Sequence, residues 1–168
     1  MHEHTHRTIR AQAPLLHDFM LMDMDERWVN RSPEVMLSTF PWFLGEAFDL
    51  IVEDLLCLPA QPCVVVEGFR LPPRLVEPLP AASERGVRLL PAPALRRAAF
   101  ESRSVPGGGF VRKTSDPSRA ARNLAARDHL FTQHIDQEAE RLRLRTVRVD
   151  TGMTQDALVE QVTAAFRL

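Results

Sequence analysis

The five residues Cys63, Val64, Val65, Val66 and Glu67 restrict the fold more than any other stretch of the chain. Four consecutive small apolar residues, three of them β-branched, suit a strand covered on both faces in a parallel sheet. A carboxylate that ends a buried strand is costly without a task, which makes Glu67 the first candidate for a functional acid. Two more short strands are predicted at 87–90 and 146–150, separated by helical segments. Strands alternating with helices predict an α/β fold, a three-layer sandwich with a parallel sheet, in one domain over 1–168. Ligands of such sheets sit beyond the carboxyl ends of the strands. That rule selects Glu67, the turn after Leu90, and Asp150, Thr151 and Gly152.

The helical signals are local and specific. Ser32 is placed to cap a helix whose first position is Pro33, with Glu34 at the positive end of its dipole. Apolar residues then recur at three- and four-residue steps from Val35 to Leu58, with Pro41 expected to kink the helix. "PALRRAAFESR" also reads as helix, and "PPRLVEPL" as a short helix or turn. Asp116 and Pro117 open a long helix with an apolar stripe through Leu124, Leu130, Phe131, Ile135, Ala139 and Leu142. Thr154 caps an amphipathic helix that closes the sequence.

Between the helices lies "GGGFVRKT". It places Gly107, Lys113 and Thr114 as a Walker A loop would, but Arg112 stands where the second glycine belongs. No strand enters the loop, and the carboxylate of Asp116 occupies the anion position at the next helix. The segment reads instead either as a solvated loop or as an arginine-bearing lid near 103–119. A lid would carry Arg112 and Lys113, flanked by Arg96, Arg97, Arg103, Arg119 and Arg122, over phosphates.

Composition narrows the partners. Of 21 basic residues only Lys113 is lysine, and the formal net charge is −1. No global field favours nucleic acid or a membrane surface. The arginine bias fits either base composition of the gene or recognition of phosphate and carboxylate. Cys57 and Cys63 sit in apolar surroundings and are expected to be buried free thiols in a cytoplasmic protein. The histidines of "MHEHTHR" are expected at a frayed, solvated start, and no metal motif completes them. His129 and His134 are five apart on one helix, a poor ligand spacing. No nucleophile elbow is present to build a hydrolase triad.

Taken in order, "MDMDERWVNRSPEVML", "GEAFDLIVEDLLCLP", "CVVVEGFRLPPRLV", "LLPAPALRRAAFESR", "TSDPSRAARNLAARDHLF" and "RVDTGMTQDALVEQV" resemble the small-molecule and nucleoside-monophosphate kinase-like branch of the P-loop NTPases. The resemblance spans nearly the whole chain, although no single motif is diagnostic. It implies a Walker B acid at Glu67, a lid carrying Arg103, Arg112 and Arg119, and a nucleotide-lining turn at Asp150, Thr151 and Gly152. It further implies cofactor contacts from Arg112 and Lys113, and an acceptor side around His4, Arg7, Glu26 and Arg27. ATP and Mg²⁺ would be the cofactors, with a small molecule as acceptor. The departure is large, because the family's opening strand, Walker A loop and first helix have no counterpart here. Without that loop, transition-state stabilisation on the scale that efficient transfer requires is missing.

Two function classes follow. One is an ATP-dependent small-molecule phosphotransferase-like protein, weakly active or inactive without its phosphate loop. The other is a non-catalytic binding or oligomerisation module derived from a kinase fold, for example a homodimer in which a partner covers apolar strand edges.

Overall fold

The computed structural model describes residues 2–79, 85–103 and 109–166; within these, the side chains of His2, Glu3, Phe100, Glu101 and Arg103 are not described. Most of the described chain is helical. In order, the elements are α1 (His2–Arg7), α2 (Pro14–Leu21), α3 (Met24–Trp28), α4 (Pro33–Ser38), α5 (Pro41–Leu44), α6 (Phe48–Leu56) and α7 (Pro73–Val76). They continue with β1 (Arg88–Pro91), α8 (Pro93–Arg103), a 3₁₀ turn (Phe110–Lys113), α9 (Pro117–Arg141), β2 (Thr146–Val149) and α10 (Gln155–Phe166).

Side-chain caps mark four of the helix starts. The Asp23 carboxylate accepts from the Glu26 backbone N–H at 2.8 Å, and Ser32 Oγ accepts from Val35 N–H at 3.3 Å. Asp116 accepts from Arg119 N–H at 2.9 Å, and the Thr154 hydroxyl from Ala157 N–H at 3.2 Å. Each satisfies one backbone donor that the first helical turn leaves free. α2 is capped from a distance, since the Glu46 carboxylate receives the N–H groups of Leu15 and Leu16 at 3.0 and 2.7 Å.

The predicted helix between Pro33 and Leu58 is broken into α4, α5 and α6 rather than kinked. Pro41 opens α5, and Gly45 ends it in the left-handed region at φ +91°. A Cβ at Gly45 would lie 2.5 Å from Leu75 Cδ1, so this corner packs directly on α7. Glycine meets both demands at one position.

α9 is the spine. It packs against α3, α4, α7, the 3₁₀ turn and β1. Asn123 Nδ2 donates toward the carbonyls of Trp28, Val29 and Arg31 at 3.1, 3.2 and 3.4 Å, tying α9 to the end of α3. The core beside the spine is aromatic: Phe19, Trp28, Phe40, Trp42 and Phe43 are all buried, with Leu16, Leu50 and Leu124 around them. Their rings meet mostly edge-on or tilted, at centroid distances from 4.6 Å (Phe40–Phe43) to 6.4 Å (Trp28–Phe40), arrangements that ring quadrupoles favour.

The expected three-layer α/β sandwich of the kinase-like type is overturned. The only sheet among the described residues is β1 paired with β2, parallel, with Arg88 opposite Thr146 and Leu90 opposite Arg148. α8, the 3₁₀ turn and α9 supply the long crossover that parallel strands require. Residues 63–67 form no strand, and no backbone hydrogen bond joins them to another described segment. Two causes combine. Helical aromatic side chains supply the core, so the protein's burial does not depend on a wide sheet. Prolines at 59, 62, 72 and 73 also bracket the valines, and proline removes a ladder donor. Cys57 and Cys63 are exposed free thiols, which corrects the expectation of buried ones. No helix among the described residues is long and apolar enough to cross a membrane.

Candidate functional site

The residues selected from sequence fall into separate groups. Glu67 is exposed in the unpaired segment and ends no buried strand, which removes the reason for singling it out. Arg112 and Lys113 lie on the 3₁₀ turn and both are exposed. That turn is anchored: Phe110 stacks at a tilt on Trp28 with centroids 5.1 Å apart, and Ser115 N–H donates to Asp25 Oδ1 at 2.7 Å. Thr114 is buried, its hydroxyl donating to the Val111 carbonyl at 2.6 Å. The described part of the lid is therefore pinned to α3. Gly107 and the Arg103 side chain lie outside the described residues. Arg119 is exposed on the first turn of α9.

Glu26 and Arg27 lie on α3, next to the turn. The Arg27 guanidinium donates to the Met20 carbonyl at 3.0 Å and lies 4.8 Å from the centre of the Phe19 ring. The corner thus collects Glu26, Arg27, Arg112, Lys113 and Arg119 on neighbouring elements, yet among the described residues no hydrogen bond joins any two of their side chains. Asp150, Thr151 and Gly152 form an exposed turn after β2, closed by Asp150 Oδ1 accepting from Gly152 N–H at 2.7 Å.

His4 and Arg7 are not at a frayed end. His4 Nε2 meets Asp54 Oδ2 at 2.9 Å, and Arg70 Nη2 meets His4 Nδ1 at 2.6 Å. Since guanidinium can only donate, Nδ1 is the acceptor and Nε2 carries the proton that Asp54 receives. Arg7 bonds Asp54 and also Glu53, the latter at 3.1 Å. This network fastens α1 to α6. Hydrogen bonds from Arg7 and then His4 hold the Asp54 carboxyl below the usual aspartate range. A carboxyl lowered on folding stabilises the fold above its unfolded pKa, and that contribution disappears as pH falls through the folded value. Urea midpoints of wild type and Asp54→Asn should therefore differ most above about pH 4, where aspartate is ionised in the unfolded chain, and converge below it. A gap that persists unchanged to strongly acid pH would remove Asp54 from this role.

Two small hollows stand out among the described residues. One, of about 220 Å³, lies beyond the carboxyl end of β1 and is lined by Pro91, Arg96, His129, Gln133, Asp136 and Arg148, among others. The turn after Leu90 does line it, as the rule for parallel sheets anticipates. Its cations are already engaged. Arg148 holds both Asp136 oxygens at 2.9 and 2.8 Å, and Arg96 donates to the carbonyls of Asp128 at 2.7 Å and Pro91 at 3.3 Å. The other, of about 250 Å³, is an apolar hollow between α4 and α9 floored by Phe43 and Phe131, whose rings stack 3.6 Å apart.

The feature that stands out is on the surface. Val65 is 89% exposed and Leu56 80%, and Leu58, Val64, Val66 and Phe69 are also exposed. They cluster along one stretch of chain, 56–69. Its strand propensity marks this stretch in the sequence but points to the wrong environment for it. The signal that could have placed it is the flanking proline, which favours an edge or unpaired segment over a central strand. Compared with family profiles, curated proteins and solved structures, the chain matches none.

Proposed function

We propose that this chain is an interaction module that docks a protein partner along residues 56–69, with 63–67 supplying a strand. A single observation carries the reading: the most strand-forming residues of the chain lie outside every described helix and strand, exposed and without a described backbone partner. Unpaired N–H and C=O groups in such a segment are a template for another strand. Strand addition takes its affinity from the main chain and its specificity from alternate side chains. In a strand, Val64 and Val66 alternate with Val65, so one face offers two half-exposed valines and the other offers Val65. Contiguous apolar surface of this kind marks interaction sites on soluble proteins. Phosphoryl transfer gains no comparable support, because the residues it needs are distributed over separate hydrogen-bonding groups.

A photo-activated phenylalanine analogue placed at Val65 should yield a discrete protein adduct on irradiation in the native cell. The same probe at Val159, 55% exposed on α10, serves as the control. Adducts at Val65 no stronger or more discrete than those at Val159 would overturn the docking reading.

A further inference from the structure

We infer that the hollow beyond the carboxyl end of β1 binds a small organic monocarboxylate, with Arg96 receiving its charge. No residue of 56–69 lines this hollow, so the site stands apart from the docking surface. The two arginines of its wall are engaged in different ways. Arg148 is held by both Asp136 oxygens, and that carboxylate compensates its charge. Arg96 is held by the carbonyls of Asp128 and Pro91, which orient it without bringing a carboxylate into contact. The Asp128 carboxylate pairs with Arg127 instead. Among the described residues Arg96 forms no ion pair. Loss of solvent holds this half-buried guanidinium below its ordinary pKa range, and the Asp128 charge offsets that only in part. Arginine keeps its proton all the same. An anion in the hollow would return part of the lost solvation, and the guanidinium fork suits two carboxylate oxygens.

The rest of the lining selects the class of ligand. His129, Thr132, Gln133 and Asp136 recur at three- and four-residue steps, so one face of α9 forms the polar wall. His129 and Gln133 are exposed, and neither side chain has a hydrogen-bond partner among the described residues. Each can donate an N–H to an oxyanion. The opposite wall, where β1 runs into α8, is apolar, with Leu90, Pro91, Ala92 and Pro93. A ligand that fits both walls has one charged end and a short hydrocarbon body. Asp136 limits the charge, because a dianion meets its repulsion more strongly than a monoanion does. The hollow measures about 220 Å³. A cavity of about 150 Å³ is enough for benzene, so benzoate is a probe of suitable size.

The test titrates the full chain with benzoate, benzamide and inorganic phosphate, followed by ¹⁵N NMR of the backbone amides and the Arg96 side chain. Benzoate should shift the signals of Arg96, His129 and Gln133 saturably, with a dissociation constant of about 1 mM or lower. Benzamide keeps the shape without the charge and should bind at least about tenfold more weakly, since charge-assisted hydrogen bonds are lost. Arg96→Gln should weaken benzoate to a similar degree. That variant also gives up bonds to two carbonyls, so Gln133→Glu supplies a second check. It brings a carboxylate to the hollow from an exposed position and should abolish binding with an unchanged circular dichroism spectrum. Asp136→Asn removes an anion from the wall and releases Arg148, and should tighten benzoate several-fold.

No saturable shift at about 10 mM benzoate, well above the expected dissociation constant, would overturn the site. Equal affinity for benzamide, or a benzoate affinity unchanged in both Gln133→Glu and Asp136→Asn, would remove charge from the recognition and overturn the role of Arg96. Tighter binding of phosphate than of benzoate would overturn the carboxylate class.

Discussion

Phe40→Ala should cost about 3–5 kcal/mol of folding stability, the range for deleting a buried aromatic side chain. Against a total of about 5–15 kcal/mol for a domain, such a loss leaves the variant marginal at room temperature. Phe40 has this effect because of its position. Its ring lies 5.3 Å from Phe19, 5.0 Å from Trp42, 4.6 Å from Phe43 and 6.4 Å from Trp28. It sits between α4 and α5, at the residue before Pro41, where the extended backbone that proline imposes turns the side chain into the core. Removing it opens a void shared by four rings and a guanidinium, and neighbours on three short helices cannot all move to fill it. Phe40→Leu keeps much of the volume and should cost clearly less. Urea denaturation followed by tryptophan fluorescence separates the outcomes, because Trp28 and Trp42 both border the site. A loss under about 1 kcal/mol for the alanine variant would mean that the cluster relaxes around the gap.

The local parts of this fold were legible because they depend on neighbours in sequence. Ser32, Pro33, Asp116, Pro117 and Thr154 each act within one helical turn, and each caps or opens the helix expected of it. The two short strands at β1 and β2 were legible too, and the turn after Leu90 lines a hollow as its place at a strand end anticipates. The tertiary assignment of residues 63–67 was not legible. Strand propensity measures how well a side chain fits a half-buried pleated surface, and it does not say whether such a surface exists. Here it does not, because the aromatic side chains of α2 to α5 meet α9 and close a core without it. The same limit hid Arg127 and Glu138. An apolar stripe drawn along α9 passes over both, yet both are buried on its inner face. The anchoring of the segment read as a lid was not legible either: Phe110 and Ser115, the residues that pin the turn carrying Arg112 and Lys113 to α3, have no recognisable signature.

The second large effect concerns Arg127, and its size depends on which partner is changed and on what replaces it. Its side chain is only 9% exposed, with the guanidinium carbon 4.7 Å from the ring centre of Phe40, 5.3 Å from Phe43 and 5.4 Å from Trp28. Nε and Nη2 donate to Asp128 Oδ1 at 3.0 and 2.6 Å, and Nη1 is buried without a partner. Guanidinium cannot shed its proton to escape this setting. The rings supply attraction worth up to about 2 kcal/mol when desolvated, and Asp128 supplies the compensating charge. Asp128→Ala should therefore cost about 2–3 kcal/mol, below the range for fully buried pairs because Asp128 is itself 40% exposed and partly screened by solvent. Arg127→Ala should also destabilise, through the lost packing of its stem against three rings. Arg127→Met keeps the length and removes the charge and its unpaired donor. It should come out within about 1 kcal/mol of wild type or more stable, as apolar replacements of buried charges often do. The double variant Arg127→Met with Asp128→Ala then decides the cause. If the cost of Asp128→Ala arises from a stranded cation, it should largely vanish in the methionine background. If the cost is the same in both backgrounds, Asp128 acts independently of the guanidinium and the aromatic site holds its charge unaided.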